Sequence, residues 1–176
     1  MATLRVPPLH KQPAGSHKCW AYALASWMAV QKGRKAVEPE EFVRLFKNYL
    51  EFGGQGGLPG QHFNKVVTNN LVMMKWRSQD GATLDYEEFK GYINFEMYIY
   101  VVARPKKAAA DEPGHARVLF GYAADEKIQA FRMIDPITGE GAWKVSEIAE
   151  FKLLLGIPKE RSFLAWGPGQ PTWFDS

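Results

Sequence analysis

From Trp20 onward the bulky apolar residues recur at Trp20, Ala23, Leu24, Trp27 and Met28, the i, i+3, i+4, i+7, i+8 spacing of a helix pressed into a core. The spacing predicts a helix over residues 19–31, ending near Gly33, with Cys19 in its first turn. A second helix is expected over 39–52: Pro39 takes its first position, Glu40 and Glu41 its first turn, and Gly53 lies beyond its end. Its buried stripe reads Phe42, Leu45, Phe46, Tyr49 and Leu50. The glycine-rich run over 53–60 lacks the Lys-Ser/Thr ending and preceding strand of a phosphate loop, and reads as a connection. A short helix over 61–70, a strand over 72–77 and a helix over 85–92 follow, Asp85 and Glu88 having the spacing of a capping box.

Downstream the period changes. Residues 97–103 are β-branched and aromatic and suit a central strand. After a loop over 104–114, residues 115–122 and 127–134 form a hairpin pattern turning at 123–126, and 135–139 is a turn. A short segment at 141–145, a helix capped by Ser146 and a last strand over 162–166 complete the chain. Helices come first and sheet second, the order of an α+β fold. A length of 176 residues fits one domain over 1–176, and no internal repeat divides it.

Composition and charge restrict what such a domain does. A hydrophobic fraction of 46% with 14% aromatic residues excludes a disordered chain. One cysteine forms no internal disulfide, so nothing argues for folding in an oxidising compartment. The histidines, at 10, 17, 62 and 115, show no metal-ligand spacing, so neither metal nor cofactor is expected. The net charge of +3 does not by itself imply nucleic acid. Arg5, Lys11, Lys18, Lys32, Arg34 and Lys35 all precede the first acid, Glu38, which sets Cys19 in a positive neighbourhood. This basic start before an apolar segment imitates a signal peptide, but Trp20 and Trp27 are foreign to one and cleavage would remove Cys19. No segment approaches membrane-spanning length, so a soluble protein with no membrane partner is expected.

A lone cysteine is usually a small buried hydrophobe. At a helix start, however, unpaired N–H groups and the positive end of the dipole favour thiolate over thiol. Gln12, His115 and Asp135 strengthen the second reading. With the hairpin turn centred near 124 and 125, His115 falls opposite Ile134 or Asp135, about 5 Å apart at Cβ. Asp135 then accepts the Nδ1–H of His115, fixes its tautomer and stabilises the imidazolium formed when Cys19 loses its proton. A one-residue slip would send the two side chains to opposite faces. Taken singly, His115 is a strand-end histidine and Asp135 a turn-former before Pro136. In the order Cys, His, Asp they read as a nucleophile from the helical part served by partners from the sheet.

Gln12, Cys19-Trp20-Ala21, Gly114-His115-Ala116, Gly121-Tyr122 and Asp135-Pro136 with Gly139 resemble the motifs of papain-like cysteine peptidases. The resemblance is closest to a compact bacterial branch that includes bacteriocin-leader peptidases and secreted effector proteases. It implies an N-terminal helical part carrying Cys19, packed on an antiparallel sheet carrying His115 and Asp135. Cys19 would be nucleophile, His115 general base and acid, and Asp135 the orienting group. Gln12 would donate its amide to an oxyanion hole with the backbone N–H of Cys19, a donor worth about 3 kcal/mol in the transition state. Many relatives have Asn at the position of Asp135, and a carboxylate would hold the imidazolium more strongly. Arg117 stands where this branch has a small or apolar residue; it either selects an acidic substrate group or, as the preferred expectation, pairs with a surface acid. Trp20, with Trp27 and Trp76, would bind substrate by narrowing the cleft toward glycine-containing sites.

The resemblance thus implies a protease forming a thioester on Cys19 and acting on a protein substrate. By analogy with secreted effectors it also implies a toxin, delivered by contact into a competing bacterial cell, active in that cell's cytoplasm and checked by a cognate immunity protein. The same residues would serve a deamidase, transglutaminase or peptidoglycan amidase, because they do not specify the acyl group. A binding module without turnover is the remaining alternative, and the intact set Gln12, Cys19, His115 and Asp135 argues against it.

Overall fold

The computed structural model describes residues 4–109 and 114–161; the strand expected over 162–166 and part of the loop expected over 104–114 lie outside the described residues. Helices α1 (Cys19–Met28), α2 (Pro39–Leu45) and α3 (Phe63–Val67) precede strand β1 (Met74–Asp80) and helix α4 (Tyr86–Asn94). Strands β2 (Ile99–Pro105), β3 (His115–Tyr122), β4 (Ala130–Asp135) and β5 (Gly139–Lys144), the short helix α5 (Val145–Ile148) and strand β6 (Phe151–Pro158) follow. The strands form one six-stranded sheet in the order β1-β6-β2-β3-β4-β5, and its neighbouring pairs are antiparallel. This is the α+β arrangement expected, with the cysteine on an N-terminal helix.

Alternation along the strands divides the core between the two sheet faces. Tyr98, Tyr100 and Val102 of the β2 segment point into a cluster with α1, while Ile99, Val101 and Ala103 point into a second cluster with α4. Every residue of α1 except Tyr22 is buried, so the helix is enclosed rather than striped. It is pinned to the sheet by two hydrogen bonds: Trp27 Nε1 donates to Tyr98 O at 2.9 Å and the Tyr100 hydroxyl to Trp20 O at 3.0 Å. The helix ends at Met28, short of the expected 31, because Val30 and Gln31 donate to carbonyls three residues back, which tightens the last turn.

Other departures have equally local causes. Helix α2 stops at Leu45 and the chain continues as a 3₁₀ turn over Lys47–Tyr49; Phe42 and Phe46 are buried, but Leu45, expected in the stripe, is 53% exposed. Asp85 caps α4 as expected, accepting from Glu87 N and Glu88 N, but Glu88 turns to Arg77 instead of closing the box. Ser146 does not cap α5. Glu147 reaches back to accept from Lys144 N at 3.0 Å, so the helix begins before Ser146. The sequence pattern predicts no strand at β6, although it lies between β1 and β2; the run Leu153-Leu154-Leu155 is buried on both faces and lacks a half-buried strand's alternation. No described helix is long and apolar enough to cross a membrane.

Candidate active site

Cys19 is the first residue of α1, 8% exposed, and no side chain caps the free N–H groups of that turn. In its thiol form Sγ donates to Gly114 O at 3.6 Å. The contact depends on Gly114 lacking a side chain: a Cβ there would lie 2.6 Å from Val102 Cγ1. The next residue, His115, opens β3 opposite Ala103 of β2, close enough to Cys19 for the thiolate to act on its ring. The sheet edge therefore delivers the ring to the start of the helix.

Asp135 meets His115 by a different route from the one expected. In the β3–β4 ladder Val118 faces Ile134 and Leu119 faces Met133, and the register then shifts so that Gly121 faces Arg132. The connection is also longer than expected. Lys127 N donates to Asp125 Oδ1 at 2.9 Å, an Asx turn that delays β4 until Ala130. Extending the register sets Arg117, not His115, beside Asp135. His115 lies two residues further along the same face and reaches the carboxylate diagonally.

The resulting contacts surround Asp135, which is 1% exposed as a residue. His115 Nε2 donates to Oδ2 at 2.8 Å and Arg117 Nε to the same oxygen at 2.9 Å. Oδ1 accepts from Ile137 N at 2.8 Å and Thr138 N at 3.2 Å, so Asp135 is a turn-former as well as a histidine partner. The ring nitrogen differs from the expectation: Nε2 faces Asp135, which leaves Nδ1 for Cys19. Burial opposes the charge on His115, but hydrogen bonds to Asp135 and Cys19, and their negative charges, raise its pKa from 6.5 to about 9. Burial also opposes the Asp135 charge, yet hydrogen bonds from His115, Ile137 N–H and Arg117 hold its carboxyl well below the usual range.

The remaining expected residues are placed as follows. Gln12 is tied to the Asp135 turn, its backbone N–H donating to Pro136 O at 3.0 Å. Its Nε2 donates to Ser16 O at 2.8 Å, and its Oε1 is buried without a hydrogen-bond partner. Trp20 is buried, with Nε1 donating to Gly56 O at 2.8 Å, so its ring touches the glycine-rich loop rather than opening onto a cleft. Trp27 belongs to the core and does not line a cleft. Arg117 does not pair with a surface acid, because its acid is the buried Asp135. Nor do the N-terminal cations simply face Cys19: Lys18, Lys32 and Arg34 pair with Glu40, Glu96 and Glu160. Missed altogether was Trp143, over whose ring the Arg117 guanidinium lies 4.4 Å from the centroid; only the true register reveals that contact. No cluster of metal-ligating side chains occurs among the described residues.

A cysteine on an N-terminal helix packed against an antiparallel sheet is a papain-like fold. Two solved structures are similar to the chain in fold. A double glycine motif protease from an AMS/PCAT transporter, in complex with the leader peptide, aligns with a TM-score of 0.52 and 16% identity over 89% of this chain and 94% of that one. A C39-like peptidase from Bacillus anthracis aligns with a TM-score of 0.56 and 12% identity over 89% of this chain and 97% of that one. No family model and no curated protein sequence matches the chain. The papain-like fold expected from the sequence is borne out, and at these identities the likeness is one of fold.

Proposed function

We propose that this chain is a cysteine peptidase in which Cys19, His115 and Asp135 form the catalytic set. The observation that carries the reading is that Cys19 Sγ lies against Gly114 O, the residue before His115, while His115 Nε2 lies 2.8 Å from Asp135 Oδ2. Charged at neutral pH, His115 pairs with the Cys19 thiolate, which attacks the substrate carbonyl carbon. The tetrahedral oxyanion receives the Cys19 backbone N–H and one N–H of Gln12 Nε2. His115 Nδ1–H protonates the departing amine, leaving a thioester; the now neutral ring takes a proton from water, which attacks the thioester and frees Cys19. Asp135 stays ionised throughout and keeps Nε2 as the donor nitrogen.

The substrate proposed is a protein, in line with the neighbour that holds a leader peptide. Labelling new N-termini in a bacterial lysate tests it. Wild type is expected to generate them and Cys19→Ala to generate none. A gain of about one dalton on glutamines without new termini would replace proteolysis by deamidation, and released muropeptides would replace it by amidase chemistry. The role as an effector delivered into a competing bacterium, checked by an immunity protein over the cleft, is supported by the sequence resemblance. Its measurement is growth arrest on cytoplasmic expression of wild type and not of Cys19→Ala.

A further inference from the structure

We propose that Arg117 is a positioning residue that offsets part of the charge of Asp135 and so loosens its hold on the His115 proton. The proposal rests on the Cys19–His115–Asp135 reading above and adds a fourth group to it.

Geometry assigns the role. Arg117 Nε and His115 Nε2 donate to the same oxygen, Asp135 Oδ2, at 2.9 and 2.8 Å. The guanidinium lies over the Trp143 ring of β5, with its carbon 4.4 Å from the ring centroid. Nη1 is buried and has no hydrogen-bond partner, so that nitrogen is not offered to a substrate acid. The fork is thus fixed by the carboxylate on one side and an aromatic face on the other.

A carboxylate alone would hold an imidazolium tightly, and a tightly held proton is a poor acid for the leaving amine. A cation on the shared oxygen withdraws part of that hold. Asp135 with Arg117 then presents His115 with a weaker negative charge than a free carboxylate would. Cys19 from α1 and Asp135 from the end of β4 act on the ring directly, and Arg117 from β3 acts through Asp135. From β2, the Tyr100 hydroxyl is engaged by Trp20 O, and the lead-in and β5 contribute the neutral Gln12 and Trp143.

The experiment follows the ring itself. In ¹⁵N-histidine-labelled full-length protein, the imidazole resonances are titrated by NMR, His115 being assigned by its loss in His115→Gln. Wild type is expected to titrate near pH 9. Arg117→Met keeps the apolar stem over Trp143 and should raise the midpoint by roughly one unit, within the range for a lost neighbouring charge. Arg117→Lys keeps the charge and should remain near wild type. Asp135→Asn should fall below wild type, and adding Arg117→Met to it should raise the midpoint again by removing an unopposed cation. A merely structural arginine would broaden the spectra or lower stability without this order. Unchanged midpoints in Arg117→Met, with wild type near 9, would overturn the proposal alone. Wild type titrating near 6.5, unaffected by Cys19→Ala, would remove the catalytic pair and the proposal with it.

Discussion

The two ends of the site are built in opposite ways. At one end, Asp135 accepts four hydrogen bonds, two on each oxygen, from backbone, histidine and arginine. At the other end, Gln12 donates once, to Ser16 O, while its own Oε1 and the Ser16 hydroxyl are buried without partners. The turn between them, with Ser16 N donating to Pro13 O and Gly15 at φ +73, holds the amide in place without using all its capacity. Buried polar atoms are nearly always satisfied, so the exceptions call for an explanation. Asp135 is satisfied completely, whereas the Gln12 amide has, besides its unpartnered oxygen, a second Nε2 hydrogen beyond the bond to Ser16 O, the donor that the proposed mechanism assigns to the oxyanion.

Breaking the closed end should have the largest effects. Cys19→Ala or His115→Ala removes a member of the reacting pair, with an expected loss of about 10⁶-fold in turnover. Asp135→Ala should lower turnover by about 10⁴-fold and also leave the partly buried Arg117 guanidinium without its anion. With the four hydrogen bonds also lost, the second effect costs about 3 kcal/mol, read in urea unfolding. Equal stability of Asp135→Ala and wild type would mean that the four bonds do not anchor this end.

The same end sets the pH response. His115 is charged below about pH 9 and neutral above it, and in the proposed mechanism the charged ring is the acid that protonates the leaving amine. Activity should therefore fall above about pH 9, approaching tenfold per unit. Asp135→Asn should move that fall toward lower pH. A profile flat to pH 10 would separate the ring from the rate-limiting proton transfer.

The open end should respond differently. Gln12→Ala is expected to reduce kcat by about 10²–10³-fold, as for loss of one oxyanion donor, with little change in the unfolding midpoint. Destabilisation on the scale of Asp135→Ala would erase the contrast and make Gln12 a structural residue.

Much of this contrast was legible in the sequence. The helix carrying Cys19 declares itself through its 3.6-residue period, and His115 and Asp135 through their place at the ends of a recognisable hairpin. What decides their contacts is not periodic. The register shift beyond Leu119 and the Asx turn at Asp125 move Arg117 beside Asp135, and neither leaves a hydrophobic signature. Strand β6 was hidden for the opposite reason, since burial on both faces erases the alternation by which strands are read.

The smallest expected effect concerns the border of the open end. His17 N donates to Gln55 O at 2.9 Å and Trp20 Nε1 to Gly56 O at 2.8 Å, tying the glycine-rich loop to the residues on either side of Cys19. Trp20→Phe keeps an aromatic ring against Phe46 and removes only the second tether. One lost buried hydrogen bond costs about 1 kcal/mol, small beside the loss of Asp135. If the loop borders the substrate without entering the chemistry, KM should rise several-fold while kcat stays near wild type, because an interaction lost equally from ground and transition states appears in KM. A fall in kcat with unchanged KM would instead mean that the tether holds the first turn of α1. The open end would then be as rigidly specified as the closed one.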